Sequence, residues 1–292
     1  MNKTFLIAGG DLRFATLADR LAENNRVYAA GFDRNIAMSE KVRLIDRTAS
    51  LKERADYIIL PLPVSADGVT VSTPYSGKSI SIESLVPAVK ENGVVFGGIV
   101  APEIRKIFEE KNITVADYAL REEFAVMNAV ATAEGAVQVA MEELATTLSG
   151  RKVLILGAGR IAKVLIDALS GFHTKITVAA RKCSDLAWAR VYGCEAVKIE
   201  RLDEILGGFD VIFNTVPAVI LDEKKLKKIS SGCLVIDLAS KPGGVDFDMA
   251  GALGIKAIWL LSLPGKVAPV TSGEVIAETV KNILAERGDL DD

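Results

Sequence analysis

The sequence predicts an α/β protein with two doubly wound parallel-sheet domains. Short apolar runs alternate with amphipathic helical segments along the chain, and this alternation is typical of parallel strands joined by helices. A helical stretch at 122–149 interrupts the alternation once before it starts again. The length of 292 residues is enough for two domains with substantial cores. We therefore expect one parallel sheet before this stretch and a second one after it.

The first domain is predicted over residues 1–122. Its strand candidates are the apolar runs at 4–10, 26–32, 56–62, 93–99 and 114–120, and its helix candidates are 13–24 and 103–112. Residues 61–78 are rich in Pro, Ser, Thr and Gly, which indicates a loop after the carboxyl end of a strand. Ligands of α/β proteins bind at such ends. We expect a flavodoxin-like substrate domain, onto which the C-terminal helix at 273–292 packs back.

The second domain is predicted over residues 123–272. It begins with the helical stretch, which acts as a connector and is expected to be interrupted around Ala131–Gly135. Strand candidates follow at 152–157, 175–180, 196–199, 210–216, 233–239 and 256–262. This series describes a complete doubly wound unit. Because the connector and the last helix both cross between the domains, we expect the active site in the cleft between them.

The segment KVLILGAGRIAKVLIDAL combines a strand, a glycine turn and an amphipathic helix. Gly157 permits the sharp exit from the strand, and Gly159 lets a pyrophosphate approach the backbone. Ala162 is small enough for close packing of the helix on the sheet. The N–H groups at the start of the helix, at Arg160 and Ile161, would face the phosphates. The motif predicts a Rossmann dinucleotide-binding domain, and the alternative is a glycine turn that binds nothing.

The residues at the end of the next strand indicate whether NAD or NADP is bound. NAD-binding domains usually place an Asp or Glu there, where it bonds the ribose 2′-hydroxyl. This chain has Arg181 and Lys182 instead, and an arginine can grip a 2′-phosphate with two hydrogen bonds. The sequence favours NADP, with NAD as the alternative if these two residues are only a solvated strand end.

The composition excludes several classes of function. A net charge of −3 and a pI near 5.5 give no electrostatic basis for binding nucleic acid or an anionic membrane. The N-terminal apolar run is too short to span a bilayer and is interpreted as the first strand. Three cysteines without CxxC or Cys/His spacing argue against a metal site and suit a reducing compartment. We expect a cytoplasmic homo-oligomer without a metal.

Five motifs spread over the chain carry a family resemblance. They are IAGGDLRF (7–14), ATAEG (131–135), FNTVP (213–217), IDLASKPGGVDF (236–247) and LPGKVAPVTSG (263–273). Together they resemble the A subunits of dipicolinate synthase, a sporulation enzyme. The overall layout is also similar to the D-2-hydroxyacid and alanine dehydrogenases.

The resemblance has specific implications for function. It implies an N-terminal substrate domain, a C-terminal NADP domain, and oxidation of a dihydrodipicolinate-type intermediate of the lysine pathway to dipicolinate (pyridine-2,6-dicarboxylate). It implies that the partner is a small flavoprotein-like B subunit. It places the protein in the mother cell of a spore-former.

Cofactor contacts are also expected where the fourth and fifth strands of the second domain end. The carboxyl ends of these strands face the nicotinamide in a doubly wound domain. The residues at these ends are Asn214, Thr215, Val216, Pro217, Asp237, Ala239 and Ser240. Asp237 has a second interpretation, as a carboxylate that caps a helix or fixes a loop.

Two residues, Lys266 and Glu134, are candidates for catalysis, whereas the histidine is not. His173, the only histidine, precedes a strand and lies behind the expected cleft, so the general acid/base histidine of hydroxyacid dehydrogenases is absent. Alignment of LPGKVAP with the segment that carries that histidine places Lys266 in its position. Lys266 is a proton acceptor, a charge for a substrate carboxylate, or a plain surface lysine. Glu134, in the expected helix break, is a helix cap or a base facing the cleft, and the resemblance favours the base.

A pyridine dicarboxylate requires at least two cationic or N–H-rich anchors. Arg13 follows a glycine pair at a helix start, where backbone amides also bind anions. It is either such an anchor or a solvated helix-cap residue. Thr132 lies beside Glu134 in the hinge, and Ser72 and Thr73 lie on the 61–78 loop. That loop either closes over the substrate or is simply mobile.

Three functions are compatible with these patterns. The first is an NADP-dependent oxidoreductase that forms dipicolinate. The second is a dehydrogenase of another small amino or hydroxy acid, against which the missing histidine counts. The third is a nucleotide-binding scaffold for the flavoprotein partner.

Overall fold

The computed structural model describes residues 3–33 and 36–289. The chain divides into two compact units, one made of residues 1–128 and 268–292 and the other of residues 129–267. Each unit contains one six-stranded sheet, and the strands within it pair in parallel. The predicted α/β class with two doubly wound parallel sheets is confirmed.

The elements follow one another in strand and helix order along the chain. The strands are β1 (Thr4–Ala8), β2 (Arg26–Ala30), β3 (Val42–Ile45), β4 (Ala55–Ile59), β5 (Val89–Gly97), β6 (Thr114–Asp117), β7 (Lys152–Leu156), β8 (Lys175–Ala180), β9 (Glu195–Lys198), β10 (Val211–Asn214), β11 (Leu234–Asp237) and β12 (Lys256–Trp259). The helices are α1 (Leu12–Ala22), α2 (Pro102–Glu109), α3 (Glu122–Glu143), α4 (Arg160–Ser170), α5 (Cys183–Val191), α6 (Glu223–Leu226), α7 (Phe247–Ala252), α8 (Leu263–Val267) and α9 (Pro269–Glu286).

The first sheet has the strand order β3-β2-β1-β4-β5-β6. The five strands expected from the sequence are β1, β2, β4, β5 and β6, and taken alone they lie in the flavodoxin-like order 2-1-3-4-5. The sixth strand, β3, extends the sheet beyond β2 and gives the order 3-2-1-4-5-6 of dinucleotide-binding folds. The flavodoxin-like prediction is corrected accordingly. β3 escaped prediction because it is a four-residue edge strand in which only Val42 is buried.

Two helices, α1 and α9, cover one face of the first sheet. Leu17 and Leu21 of α1 and Val280 and Leu284 of α9 are buried in the same apolar core. Full burial of one such side chain stabilises a fold by roughly 1.5–3 kcal/mol. The helices approach closely at Gly273, where an added Cβ would collide with the backbone of α1. α9 therefore belongs to the core of the first unit.

The second sheet has the order β12-β11-β10-β7-β8-β9, so its central strand β7 lies between β10 and β8. This is the 3-2-1-4-5-6 order with β7 as the first strand. Val153 to Leu156 of β7 are completely buried on both faces of the sheet. Such strands read as continuous apolar runs in sequence. The carboxyl ends of β7, β8 and β10 consequently meet at one edge, where the functional site is built.

Helix α3 is continuous from Glu122 to Glu143, so the expected interruption at Ala131–Gly135 is absent. Gly135 suggested a break because glycine is a poor helix former. It serves close packing instead, since an added Cβ would lie 3.1 Å from Val267 and 3.2 Å from Leu263. The glycine is a contact point between α3 and α8 within the second unit.

By length and composition alone, α3 is the one helix of the described residues that could cross a membrane. Half of its apolar window is buried inside the protein. Ala136 and Ala140 are completely buried in the core of the second unit. Core helices of globular proteins have this same character.

Candidate functional site

The turn after β7 contains two glycines, each required for a different reason. Gly157 has a φ of +99°, in the left-handed region that favours glycine, and a Cβ there would collide with the hydroxyl of Thr215. Gly159 has an ordinary φ of −77°, and no atom lies within 4 Å of the position of an added Cβ. The turn therefore presents its backbone to open space, as binding of a pyrophosphate requires.

Helix α4 begins directly after this turn. Its buried residues Ala162, Leu165 and Leu169 fix its direction against the sheet. In the described part of the chain no side chain bonds to its N-cap position, and the first bond within the helix runs from the Lys163 N–H to the Gly159 carbonyl at 3.1 Å. The N–H groups of the first turn and the positive end of the helix dipole favour a bound anion. The expected roles of Arg160 and Ile161 rest on this backbone position.

A cavity of about 310 Å³ opens over the turn. Its walls come from the glycine turn, the end of β8 and the segment after β10: Gly157, Ala158, Gly159, Ala180, Arg181, Lys182, Asp185, Ile199, Thr215, Val216, Pro217, Ala218 and Ile220. Seven of these positions are cofactor residues expected from the sequence: Gly157, Gly159, Arg181, Lys182, Thr215, Val216 and Pro217. The structure thus brings together parts of the chain that are about 60 residues apart.

Two cations stand at the β8 end of this cavity. Arg181 and Lys182 are both exposed and line its wall. Within residues 3–33 and 36–289, neither side chain forms an ion pair with a carboxylate. Their charges are therefore available to an anionic ligand.

The opposite wall is formed where β10 ends. The Thr215 hydroxyl donates to the Leu156 carbonyl at 2.8 Å, and the Thr215 N–H donates to the same oxygen at 2.9 Å. These bonds tie the end of β10 to the end of β7. Val216 and Pro217 follow as an apolar surface facing the cavity.

Asn214 and Asp237 lie side by side at the ends of β10 and β11 and are completely buried. One Asp237 carboxylate oxygen accepts from Asn214 Nδ2 at 2.7 Å and from the Ala239 N–H at 3.0 Å. The other accepts from the Gly244 N–H at 2.6 Å. Neither side chain lines the cavity. The hydrogen bonds of Asp237 favour its loop-fixing interpretation, and direct contact of these two residues with the cofactor stays a prediction.

Ala239 and Ser240 follow on the same loop. Ala239 is buried, and its carbonyl accepts from Trp259 Nε1 at 2.8 Å. Ser240 is exposed. Both lie outside the lining of the cavity, so their expected contacts are not part of this geometry.

The residues present fit a nicotinamide dinucleotide. Open space above Gly159 and the uncapped start of α4 suit a pyrophosphate. Arg181 and Lys182 suit a negatively charged group at the β8 end. The apolar surface at Val216 and Pro217 suits a flat ring.

Lys266 lies in α8 and is exposed. Its ammonium group has no ion-pair partner in the described part of the chain. The side chain is available as a charge for a carboxylate.

Glu134 and Thr132, both expected in a hinge, lie instead within the continuous helix α3. In the continuous helix α3, residues two apart point about 200° away from each other, and Thr132 is buried while Glu134 is exposed. Glu134 lines a separate apolar cavity with Met141 and Phe172, among others. The expected helix break is absent, so Glu134 is not the cap of a following helix.

Arg13 is buried and paired. Its guanidinium donates to both carboxylate oxygens of Asp11, at 2.8–3.1 Å, and to the Leu62 carbonyl at 3.1 Å. Its burial contradicts the alternative of a solvated residue, its charge is paired inside the first unit, and the role as a substrate anchor stays a prediction. Arg13 instead ties the start of α1 to the loop after β4.

Ser72 and Thr73 pack over the glycine turn of the first unit. The Gly10 N–H donates to the Ser72 carbonyl at 2.9 Å, and a Cβ at Gly9 would lie 2.6 Å from the same oxygen. The Thr73 hydroxyl donates to the Lys78 carbonyl at 3.3 Å. The loop fills the space that a pyrophosphate would need, so this turn does not repeat the cavity of the second unit.

His173 lies in the turn before β8, at the amino edge of the sheet. The glycine turn follows the carboxyl end of β7, at the opposite edge. Among the residues the structure describes, no three His, Cys, Asp or Glu side chains cluster as metal ligands do.

Two residues near the cavity were missed from the sequence. Asp185 lines it from the first turn of α5. Lys198, at the end of β9, donates from Nζ to the Arg181 carbonyl at 2.8 Å. A sequence signal for Lys198 did exist, since it lies in the strand expected at 196–199 and parallel strand ends converge at one edge.

Comparison with family models divides the chain as the structure does. Residues 4–119 match the model of the N-terminal domain of the dipicolinate synthase A subunit. Residues 138–258 match the shikimate/quinate 5-dehydrogenase model. The second match supports an oxidoreductase with a nicotinamide dinucleotide cofactor.

Relatives extend the match over the whole chain. The dipicolinate synthase A subunit of Bacillus subtilis (strain 168) is 29% identical over 96% of this chain and 95% of its own length. The crystal structure of the dipicolinate synthase A subunit from Bacillus halodurans superposes with a TM-score of 0.89 at 31% identity, covering 97% of this chain and 98% of that one. An L-alanine dehydrogenase shares the fold, with a TM-score of 0.62 at 12% identity over 97% of this chain and 90% of its own. The motifs, the two sheets and the full-length match agree, and the chain belongs to the family of dipicolinate synthase A subunits.

Proposed function

We propose that the chain is the NADP-binding oxidoreductase subunit of a dipicolinate synthase. In this reaction a dihydrodipicolinate-type intermediate of the lysine pathway loses a hydride and a proton to become the aromatic dipicolinate. The bound, oxidised nicotinamide would accept the hydride with its electron pair. The single observation that carries the proposal is the full-length similarity to dipicolinate synthase A subunits in a chain whose second unit has an open dinucleotide cavity.

The proposed preference for NADP rests on the charges at the β8 end. Arg181 and Lys182 line the cavity where NAD-binding domains usually carry a carboxylate. A guanidinium grips a phosphate with two parallel hydrogen bonds, whereas it gains little from a 2′-hydroxyl. NADPH is therefore expected to bind more tightly than NADH.

Replacing Arg181 by Met should reduce this preference. We expect the Kd for NADPH to rise about 10- to 100-fold, because one charge-assisted interaction is lost, while the Kd for NADH changes little. Isothermal titration with each dinucleotide measures both values. Tighter binding of NADH than NADPH by the unaltered protein would overturn the proposed cofactor.

Lys266 is the proposed partner of a substrate carboxylate or the proton acceptor. Its exposed ammonium lies in the LPGKVAP motif that aligns with the catalytic segment of the hydroxyacid dehydrogenases. Lys266→Met should lower turnover about 10- to 100-fold, as expected for a lost charged hydrogen bond to the reacting substrate, and leave the Kd for NADPH unchanged. Lys281→Met, which removes an exposed lysine of α9, is the matched control. Unchanged turnover of Lys266→Met removes this residue from the mechanism.

We further propose that the chain works with a flavoprotein-like B subunit, as a homo-oligomer in the cytoplasm of the mother cell. Its relatives are A subunits of a synthase, which supports a multisubunit enzyme. Dipicolinate formation from the lysine-pathway precursor and NADP⁺ should be measured with and without the B subunit.

The outcomes of that assay separate the candidate functions. Dipicolinate formation that requires this chain and NADP⁺ supports the proposal. Formation by the B subunit in the absence of this chain indicates a scaffold. Failure with this precursor, together with reduction of NADP⁺ by another amino or hydroxy acid, indicates a different dehydrogenase.

A further inference from the structure

The charge balance in the cavity falls short of what a 2′-phosphate requires. The lining contains two cations, Arg181 and Lys182, and one carboxylate, Asp185. A phosphate monoester carries about −1.5 to −2 charges near pH 7. The side chains that line the cavity therefore carry a net positive charge that balances only part of the negative charge of the phosphate.

We propose that Lys198 completes this site as a specificity-determining positioning residue, holding the Arg181–Lys182 turn against the cavity and adding a further positive charge beside it. This inference rests on the proposed NADP function. It assigns a role to a residue that does not itself line the cavity and touches it only through Arg181.

The register of the sheet places Lys198 at the site. In the parallel pairing of β8 with β9, Lys198 lies opposite Ala180, the residue before Arg181. Its Nζ donates to the Arg181 carbonyl at 2.8 Å, and the next residue, Ile199, lines the cavity. The ammonium is therefore adjacent to the turn that presents both cations.

Few other side-chain interactions hold the Arg181–Lys182 turn in place. Among the residues that the structure describes, no side chain caps the N-terminus of α5, whose N-cap residue is Lys182. Within the described residues no carboxylate forms an ion pair with Lys198, so its charge is not neutralised. A half-buried lysine with an uncompensated charge and a bond to a backbone carbonyl is suited to fixing a turn and attracting an anion.

The test compares two fragments that differ by the 2′-phosphate alone. We expect Lys198→Met to raise the Kd for 2′,5′-ADP about tenfold, since a charge near the phosphate and the support of Arg181 are both lost. The Kd for 5′-AMP should change less than about twofold. Lys198→Arg, which keeps the charge and the donor, should restore most of the affinity for 2′,5′-ADP. Asp185→Asn should act in the opposite direction and tighten 2′,5′-ADP.

Lys175→Met is the matched control, because this lysine begins β8 at the opposite edge of the same sheet and is exposed. Equal weakening of both fragments by Lys198→Met would show a merely structural role and overturn the inference, as would no weakening at all. If the unaltered protein does not prefer 2′,5′-ADP over 5′-AMP, the proposed NADP function fails first. If it does and Lys198→Met retains the full preference, only the role of Lys198 fails.

Discussion

Replacing Gly159 by Val should abolish binding of the nicotinamide dinucleotide without unfolding the protein. The backbone at this position has an ordinary φ of −77°, and an added Cβ meets no atom within 4 Å. The new side chain therefore occupies the space that the pyrophosphate requires. We expect the Kd for NADPH to rise at least about 100-fold, which corresponds to roughly 3 kcal/mol. Calorimetric titration measures the affinity, and thermal unfolding without ligand checks the fold.

Gly232→Val is the matched control for this experiment. Gly232 is exposed, also has no neighbour within 4 Å of an added Cβ, and precedes β11 at the amino edge of the sheet. It should leave NADPH binding unchanged. Tight NADPH binding by Gly159→Val would show that the pyrophosphate does not lie over this turn.

Replacing Asp237 by Asn should destabilise the second unit strongly. Both carboxylate oxygens accept hydrogen bonds from N–H donors: Asn214 Nδ2, the Ala239 N–H and the Gly244 N–H. The amide of Asn has the same shape, but its NH₂ group must face one of these donors in either orientation. Because the site is completely buried, we expect a loss of roughly 3 kcal/mol in the free energy of unfolding. Urea unfolding monitored at equilibrium measures it.

A second Asp→Asn change provides the comparison. Asp222 is the N-cap of α6, where its side chain accepts from the Lys225 N–H. Asn is an equally good N-cap, so Asp222→Asn should stay within about 0.5 kcal/mol of the unaltered protein. A similarly small effect of Asp237→Asn would contradict the loop-fixing role assigned to that carboxylate.

The strands of both sheets were predictable because most of them are buried on both faces. Runs such as Val153 to Leu156 contain no polar residue, and continuous apolar runs are typical of central parallel strands. The edge strand β3 lacks this signal because two of its four residues are exposed. Because β3 was missing from the prediction, the remaining five strands gave the first sheet a flavodoxin-like strand order. Edge strands depend on partners that a local pattern does not reveal.

The interpretation of α3 failed for a related reason. Glycine and a neighbouring carboxylate within a helical pattern often mark a break. Here tertiary contact with α8 requires a residue without a side chain at Gly135. In the continuous helix, the side chains of Thr132 and Glu134 point in nearly opposite directions. Sequence spacing shows that a glycine is unusual in a helix, but only the packing shows why it is there.

The cofactor site was predictable wherever the backbone determines it. Gly157, Gly159 and the β8 end line one cavity because the motif and the strand order fix their backbone positions. The roles of side chains that already form hydrogen bonds within the protein were not predictable in this way. The Arg13 guanidinium is already bonded to Asp11 and to a backbone carbonyl. The Asp237 carboxylate already accepts hydrogen bonds from three N–H groups. Two of these partners, the Leu62 carbonyl and the Asn214 side chain, come from segments distant in sequence.

The most direct test of the central claim follows the hydride itself. The chain, NADP⁺ and the B subunit are mixed with precursor that carries deuterium on the saturated ring carbons, and the products are analysed by mass spectrometry. The account predicts dipicolinate and deuterated NADPH in equal amounts, with both lost in Gly159→Val. Formation of dipicolinate without deuterium in the nicotinamide would place the oxidation elsewhere and contradict the assignment of this chain as the hydride-accepting subunit.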